Sequence, residues 1–434
     1  MHEARPMGML PDVMDVDTVV VGAGLAGLSA AHALQTGGQT VTVLEADSEV
    51  GGRTRTRELG AGILTEFGGE WVGPRHQHIQ RLVAELGLRQ RPAHQLGGPT
   101  RWRGGQRDTV RRLPALPVSE EVSLLRAFWR LGRLATTVDP VRPWLSPDAA
   151  ALDSRAFAEW LRDNGVRDDG FQYLATVVGA LMSADIEYVS LLHVLWWFAR
   201  GGGVLRILHT TFARTIVEGS QSIATRLAAR LGDRVVLDAA VRRITDTGSV
   251  EAETAHGTTV RARRAVVTTP VGALRHLDFD PPLPAALASL DQLQGHPGTK
   301  VTALLPHEHR MRHRAAIGGN TVTVAWRAGR RITGYAALGH TEAPDDTLIS
   351  ELAALFRHTS DDLQHAAVYR WNAHDYIPAC DIGFAPGQLL RHGPQLTRAH
   401  GNVHFAGAER SSWPNNMEGA VESGVNAART ILSG

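Results

Sequence analysis

A run of β-branched residues, Thr18-Val19-Val20-Val21, opens the ordered pattern and is apolar enough for a strand covered on both faces. It leads directly into Gly22-Ala23-Gly24-Leu25-Ala26-Gly27. Leu28 to Leu34 then has helical spacing, and Thr40 to Leu44 reads as a second strand ending at Glu45. Strand, turn, helix and strand within ~30 residues make a βαβ unit. Ile79 to Leu86 predicts a helix closed by Gly87, whereas Arg89 to Arg112 has no period and reads as an irregular excursion. Ser119 to Ala199 reads mostly helical, broken by Pro140, Pro143 and Pro147. The earlier style returns with a helix from Ser222 to Leu231. Short strands follow at Val235–Leu237, Val241–Ile244, Val250–Thr254, Thr258–Arg261 and Ala265–Val267. Strands and a helix alternate from Lys300 to about Pro394. The chain closes on a strand, His404 to Gly407, and a long helix from about Met417.

Composition narrows the class. The 434 residues are 43% hydrophobic and 21% charged, which supplies real cores and excludes a disordered chain. Lys+Arg (45) and Asp+Glu (44) nearly cancel, so no global field points to nucleic acid or to an anionic membrane. The first residues lack the basic start and apolar run of a secretory signal. No apolar stretch approaches the ~20 residues of a membrane span. A cytoplasmic protein is expected. The single cysteine, Cys380, excludes an intramolecular disulfide and suits a reducing compartment. Lys300 is the only lysine; every other basic side chain of the Lys+Arg count is arginine.

Gly22, Gly24 and Gly27 satisfy G-x-G-x-x-G in the required strand–turn–helix context. They permit a tight turn, close approach to a pyrophosphate and close helix–strand packing, with Ala23 and Ala26 between them. The helix N-terminus offers free N–H groups and the positive end of its dipole. Glu45, followed by Ala46, is placed to hold both ribose hydroxyls and would repel a 2′-phosphate. These residues predict a Rossmann-type dinucleotide site without separating NAD from FAD.

Two further segments make that separation: Val50-Gly51-Gly52-Arg53, and Glu66-Phe67-Gly68-Gly69-Glu70-Trp71-Val72-Gly73-Pro74. With them, and with Phe405-Ala406-Gly407-Ala408-Glu409 and Trp413-Pro414-Asn415-Asn416-Met417-Glu418-Gly419-Ala420, the chain resembles the flavin-dependent amine oxidase family over nearly its whole length. The resemblance implies FAD as cofactor. Gly52, Arg53, Gly68, Gly69, Glu70 and Trp71 would lie along its pyrophosphate and ring, Val241 at its adenine, and Gly407 and Glu409 at its ribityl–pyrophosphate region. Asn416, Met417 and Ala420 would form a helix start facing the flavin edge. It also implies an α/β fold: an FAD-binding domain built from 15–90, 208–300 and 395–434, interleaved with an α+β substrate domain from 91–207 and 301–394, after a flexible tail over 1–14.

The two singletons gain meaning from the same resemblance. Lys300, in Gly298-Thr299-Lys300-Val301, falls where the family keeps a lysine bridged by water to flavin N5. A compact cation there can stabilise negative charge during reoxidation by oxygen. Cys380 follows Trp371 at the spacing of the covalently flavinylated members, with Trp371 beside the flavin. The segment is one residue shorter than theirs before Pro386-Gly387, so covalent attachment and a free buried thiol both stand open. Asp381 and Asn416 occupy the positions of the two aromatic side chains that typically flank the amine, which implies a polar or bulky substrate. Trp413, Arg327 and Tyr188 are further pocket candidates, as are Trp196, Trp197 and Trp326.

His307, His309 and His313 cluster, but methionine stands where a zinc-protease motif needs its second histidine, so no metal is assigned. The sequence therefore predicts an FAD-dependent oxidase, with a small-molecule amine or amide as substrate and molecular oxygen as its second partner. Hydride leaves the carbon next to nitrogen, an imine forms and hydrogen peroxide is released. An amino-acid oxidase or a flavin desaturase on the same scaffold is the alternative. Substrate identity and oligomeric state, including a homodimer, are left open.

Overall fold

The computed structural model describes residues 5–6, 13–93, 100–103, 106–109, 116–182, 184–204, 206–207, 211–308, 315–336 and 339–434. Its larger sheet has nine strands. At its centre Val13–Val21 pairs in parallel with Val41–Leu44 on one side and with Thr259–Val267 on the other. Val19, Val20, Val21 and all four residues of Val41–Leu44 are buried, because one face packs into a core with the helices Leu25–Thr36 and Met417–Ser433 and the other face into a second core. Val403–Phe405 also joins in parallel to Thr259–Val267, so the C-terminal segment is tied to the first strand pair.

Leu25–Thr36 packs on this sheet and against the closing helix Met417–Ser433. Their close approach depends on Gly424: a Cβ there would lie 2.1 Å from the Ala26 carbonyl oxygen. No side chain in that helix could move to relieve the clash, since the obstacle is backbone.

The second sheet has seven strands, including Thr299–Leu304, Val324–Ala328, Arg331–Ala336 and Gln364–Arg370. Its two faces follow strict alternation. Val301, Ala303, Ala325, Ile332 and Ala336 pack into a core with Leu348, Leu352 and Leu355 of the helix Asp345–Leu355. Lys300, Thr302, Arg331, Thr333 and Tyr335 belong to the other face, the registers Lys300↔Tyr335 and Thr302↔Thr333 placing them side by side. A set of helices between residues 118 and 201 forms the third region of packing, around Trp196, Phe157 and Leu192.

The chain alternates between the two sheets. Several details differ. The first helix begins at Leu25, not Leu28, and the first strand begins at Val13, inside the segment assigned as tail. Arg5–Pro6 pairs with Val236 and Leu237. The segment Arg89 to Arg112 contains strands at Gln90–Pro92, Thr100–Arg103 and Gln106–Thr109. Strands this short, built from Arg, Gln and Thr, leave no hydrophobic period to read. Thr299–Leu304 lies wholly in the second sheet, so a division at residue 300 would cut a strand.

Replacing Gly424 by alanine is expected to lower the melting temperature, by an overpacking penalty of about 1–3 kcal/mol. Gly132→Ala, in the helix Val118–Ala135 with nothing within 4 Å of the added methyl, is the control and should raise it slightly. Thermal unfolding of the two variants decides the matter.

Candidate functional site

A cavity of about 1290 Å³ is lined from both sheets. One end is the dinucleotide fingerprint. Gly22, Gly24, Ala26, Glu45, Ala46, Gly52 and Arg53 all face it, as do Gly68, Gly69, Glu70, Trp71, Val241, Lys300, Trp371, Cys380, Asp381, Gly407, Asn416, Met417 and Ala420. Residues drawn from widely separated stretches of sequence thus meet in one space.

The residues fit FAD on structural grounds. A Cβ on Gly24 would meet only the Gly52 Cα, 3.9 Å away, so the turn leaves a shallow cradle open toward the cavity. The helix behind it has no side-chain cap and no acidic residue in its first turn, which leaves its N–H groups and dipole for an anion. Glu45 accepts hydrogen bonds from the backbone N–H groups of Ala23 and, at 2.9 Å, Asp47. Burial pushes its pKa up to about 7 against those bonds. Arg53 pairs with the buried Glu409 at 2.6 Å and donates to the Cys380 carbonyl at 3.0 Å. Burial works against the guanidinium charge, and the Glu409 carboxylate more than offsets it.

The segment bearing Gly68 and Gly69 is locked from beneath. A Cβ on Gly68 would lie 2.1 Å from the Arg53 carbonyl oxygen, and Gly69 donates to that oxygen at 3.0 Å. Trp371 is 2% exposed and its indole N–H donates to the Phe67 carbonyl at 2.8 Å. Gly68 is therefore required by packing against the protein's own backbone as well as by any ring laid over it, whereas a Cβ on Gly69 would meet the Met417 side chain at 2.9 Å.

Lys300 is the best-secured group of the site. Its Nζ donates to the carbonyls of Gly68 at 2.8 Å and Glu66 at 3.1 Å. The rings of Trp71 and Trp326 have their centroids 5.5 and 5.4 Å from it. Glu70 Oε2 is 3.6 Å away, and Glu70 Oε1 is 2.5 Å from the Arg331 guanidinium. Burial lowers the Lys300 pKa, opposed by Glu70 and then Glu66. For Glu70 burial acts to raise the pKa, but Arg331 and Lys300 hold it below the ordinary carboxylate value. Glu66, buried and facing the Glu70 charge, is pushed up to about 7 although Ser220 N–H and Thr56 Oγ1 donate to it.

Other candidates lie elsewhere. Arg327 alternates with Trp326: the tryptophan faces the cavity, while the arginine donates to the Gly329 carbonyl at 2.7 Å and is not among the lining residues. Tyr188 packs edge-on against His296, and Trp413 is buried against His76 with Arg200 over its ring. Ala23, Gly27 and Glu409 sit one layer behind the lining, and Trp196 is in the helical core. Trp197 and Trp326 do line the cavity. So do Tyr173, Phe212 and Tyr335, which no motif singles out: each is a lone aromatic whose position depends on tertiary packing. Among the described residues no cluster of three or more His, Cys, Asp and Glu could hold a metal; His309 and His313 lie outside them. Nor, among those residues, is any helix long and apolar enough to cross a membrane.

Glu66 makes stability depend on pH. A pKa raised from 4.5 to about 7 means stability that is complete at acid pH and lost as pH rises through about 7. Glu66→Gln, which keeps one oxygen to accept from the Ser220 N–H and turns an amide donor toward the Thr56 hydroxyl, should flatten that decline without removing the share contributed by Glu45. Melting temperatures across the same pH range that fall in parallel for both proteins would contradict this.

The sequence profile of the flavin-containing amine oxidoreductase family matches residues 25–432. A Mycobacterium tuberculosis protein named as a flavin-containing monoamine oxidase is 29% identical, over 96% of this chain and 97% of its own. An L-amino acid dehydrogenase of Synechocystis is 27% identical, over 98% and 97% respectively. The solved structure of cyclohexylamine oxidase from Brevibacterium oxydans superposes with a TM-score of 0.89 at 27% identity, covering 96% of this chain and 99% of that one. Since the family match takes in nearly the whole chain and the cavity carries the donors that FAD requires, this protein belongs to the flavin-containing amine oxidoreductases and is an FAD-dependent enzyme of the amine oxidase type.

Proposed function

We propose that the enzyme removes hydride from a carbon bonded to nitrogen, in a bulky amine or amide of specialised metabolism, and yields the imine. The hydride's electron pair reduces dioxygen to hydrogen peroxide with two protons. FAD, when bound, supplies the hydride acceptor and the route of those electrons to oxygen. The single observation that carries the reading is the ammonium of Lys300, the chain's only lysine, secured on the cavity wall between Trp71 and Trp326.

The remaining tasks belong to the chain. Trp71, Trp197, Phe212, Trp326, Ile317 and Leu181 surround part of the cavity with aromatic and aliphatic surface, which excludes water and orients an apolar substrate body. Asp381 and Asn416 supply hydrogen-bonding groups beside Cys380 and Met417, suited to the polar nitrogen end. Lys300 holds a positive charge where negative charge develops as oxygen is reduced. The likeness to an L-amino acid dehydrogenase supports a second reading, in which the substrate carries an α-carboxylate that needs a cation of its own.

Lys300→Met should retain FAD and substrate reduction but reoxidise with oxygen at least about tenfold more slowly, as stopped-flow absorbance would report. An unchanged rate ends the role assigned to the lysine. In an anaerobic screen of flavin bleaching, bulky alicyclic or aryl monoamines and lactams should outpace putrescine and L-amino acids by about tenfold or more. Faster bleaching by amino acids would replace the proposal with the second reading.

A further inference from the structure

Lys300 is anchored by more than the strand that carries it. Thr299–Leu304 and Arg331–Ala336 are antiparallel neighbours, and Leu304↔Arg331 and Lys300↔Tyr335 are opposite pairs. Arg331 therefore stands on the same face as Lys300, one position beyond Thr302. Its Nη1 donates to the Leu64 carbonyl at 2.9 Å and its Nη2 to Glu70 Oε1 at 2.5 Å. This fork fixes the carboxylate of Glu70 in one orientation. The other oxygen, Oε2, is buried, has no hydrogen-bond partner, and is the atom 3.6 Å from the ammonium. Side-chain exposure is 9% for Lys300, 5% for Arg331 and 2% for Glu70, so water screens none of these charges effectively.

We propose that Glu70, held by Arg331, is the positioning residue that keeps Lys300 charged and directed at the reaction space. The two carbonyls under Nζ fix where the ammonium sits, but neutral acceptors alone do not balance a buried charge. Glu70 provides that balance, and Arg331 prevents it from swinging out of reach. The titratable groups around Nζ are Glu66 and Glu70 from the neighbouring strand and turn, Arg331 and Tyr335 from one flanking strand, Tyr369 from the other, and Cys380 from the segment beside Gly298. Glu70 is the carboxylate among them that touches both cations. The glutamate itself need not meet substrate; it acts through the lysine.

This rests on the reading of Lys300 given above, and a direct titration separates the two. Because the chain has one lysine, protein grown on lysine labelled with ¹³C at Cε gives a single side-chain resonance belonging to Lys300. Followed against pH in the FAD-loaded protein, its midpoint should fall by at least one unit in Glu70→Gln, a tenfold loss of proton affinity. Glu70→Asp keeps the charge but shortens its reach, and should move the midpoint the same way by less. Should Glu70→Gln fail to fold, the aspartate variant carries the test alone. Reoxidation by oxygen should slow in the glutamine variant, and its pH profile should shift with the measured midpoint. Midpoints equal to wild type overturn the proposal whatever Lys300→Met does. A shifted midpoint with unchanged reoxidation in Lys300→Met would instead refute the role of the lysine and leave the positioning intact.

Discussion

A positive charge buried where two sheets meet must find its counter-charge within a few ångström, and the arrangement around Lys300 meets that constraint with backbone and side chains from three stretches of chain. The carbonyls of Glu66 and Gly68 come from the end of the strand Ile63–Glu66, which pairs with Thr56–Gly60, and from the turn after it; Arg331 comes from the seven-stranded sheet, with Glu70 between. Losing one member would leave another buried and unpaired, which for such groups costs about 3–5 kcal/mol. The seating of the Glu66–Glu70 segment on the seven-stranded sheet is thereby tied to the charge state of one side chain on the cavity wall.

The same logic organises the rest of the cavity. Arg53 and Glu409 pair across segments more than three hundred residues apart in sequence, and the Arg53 carbonyl receives the Gly69 N–H. Glu418 accepts from the N–H groups of His78 and Ile79 at 3.0 and 2.8 Å, so the closing helix also fixes the start of the helix Gln77–Glu85. Ion pairs and backbone bonds of this kind fix the walls before any ligand arrives. A cavity built on them is preorganised, which is the main requirement when the cofactor carries the chemistry and the protein supplies orientation.

Much of this was legible in the sequence wherever function is carried by a local pattern. The turn Gly22 to Gly27 and the acid at Glu45 depend on neighbours a few residues away, and the glycine-rich segments at Gly51–Gly52 and Gly68–Gly69 are likewise continuous. Lys300 stood out because its residue type occurs once. What could not be read depends on parity and packing. Trp326 and Arg327 are adjacent and equally conspicuous in sequence, yet a strand sends them to opposite faces, and only the register Trp326↔Thr333 settles which faces the cavity. Trp413 is a pocket candidate by its place beside the closing motif but is buried against His76, and the half-buried Tyr188 packs against His296; no local pattern positions either ring. Glu70 reads as cofactor-binding from its glycine-rich segment, while its link to Arg331 spans 261 residues and has no local signature.

The division of labour between the two cations explains why a chain otherwise composed of arginine retains one lysine. Arg331 uses its planar fork in two directions at once, toward a carbonyl and a carboxylate, a task suited to a guanidinium. At position 300 the cation must sit over two adjacent carbonyls, between two indole rings, with a carboxylate on one side and the cavity on the other. A flat guanidinium has donors in one plane and a larger body, so it cannot satisfy Glu66 and Gly68 and still present compact charge to the cavity without displacing Trp71 or Trp326. An ammonium has three donors arranged around a point. Two meet the carbonyls, and the third is left for Glu70 or for a group in the cavity, a choice governed by how firmly Arg331 holds the carboxylate back.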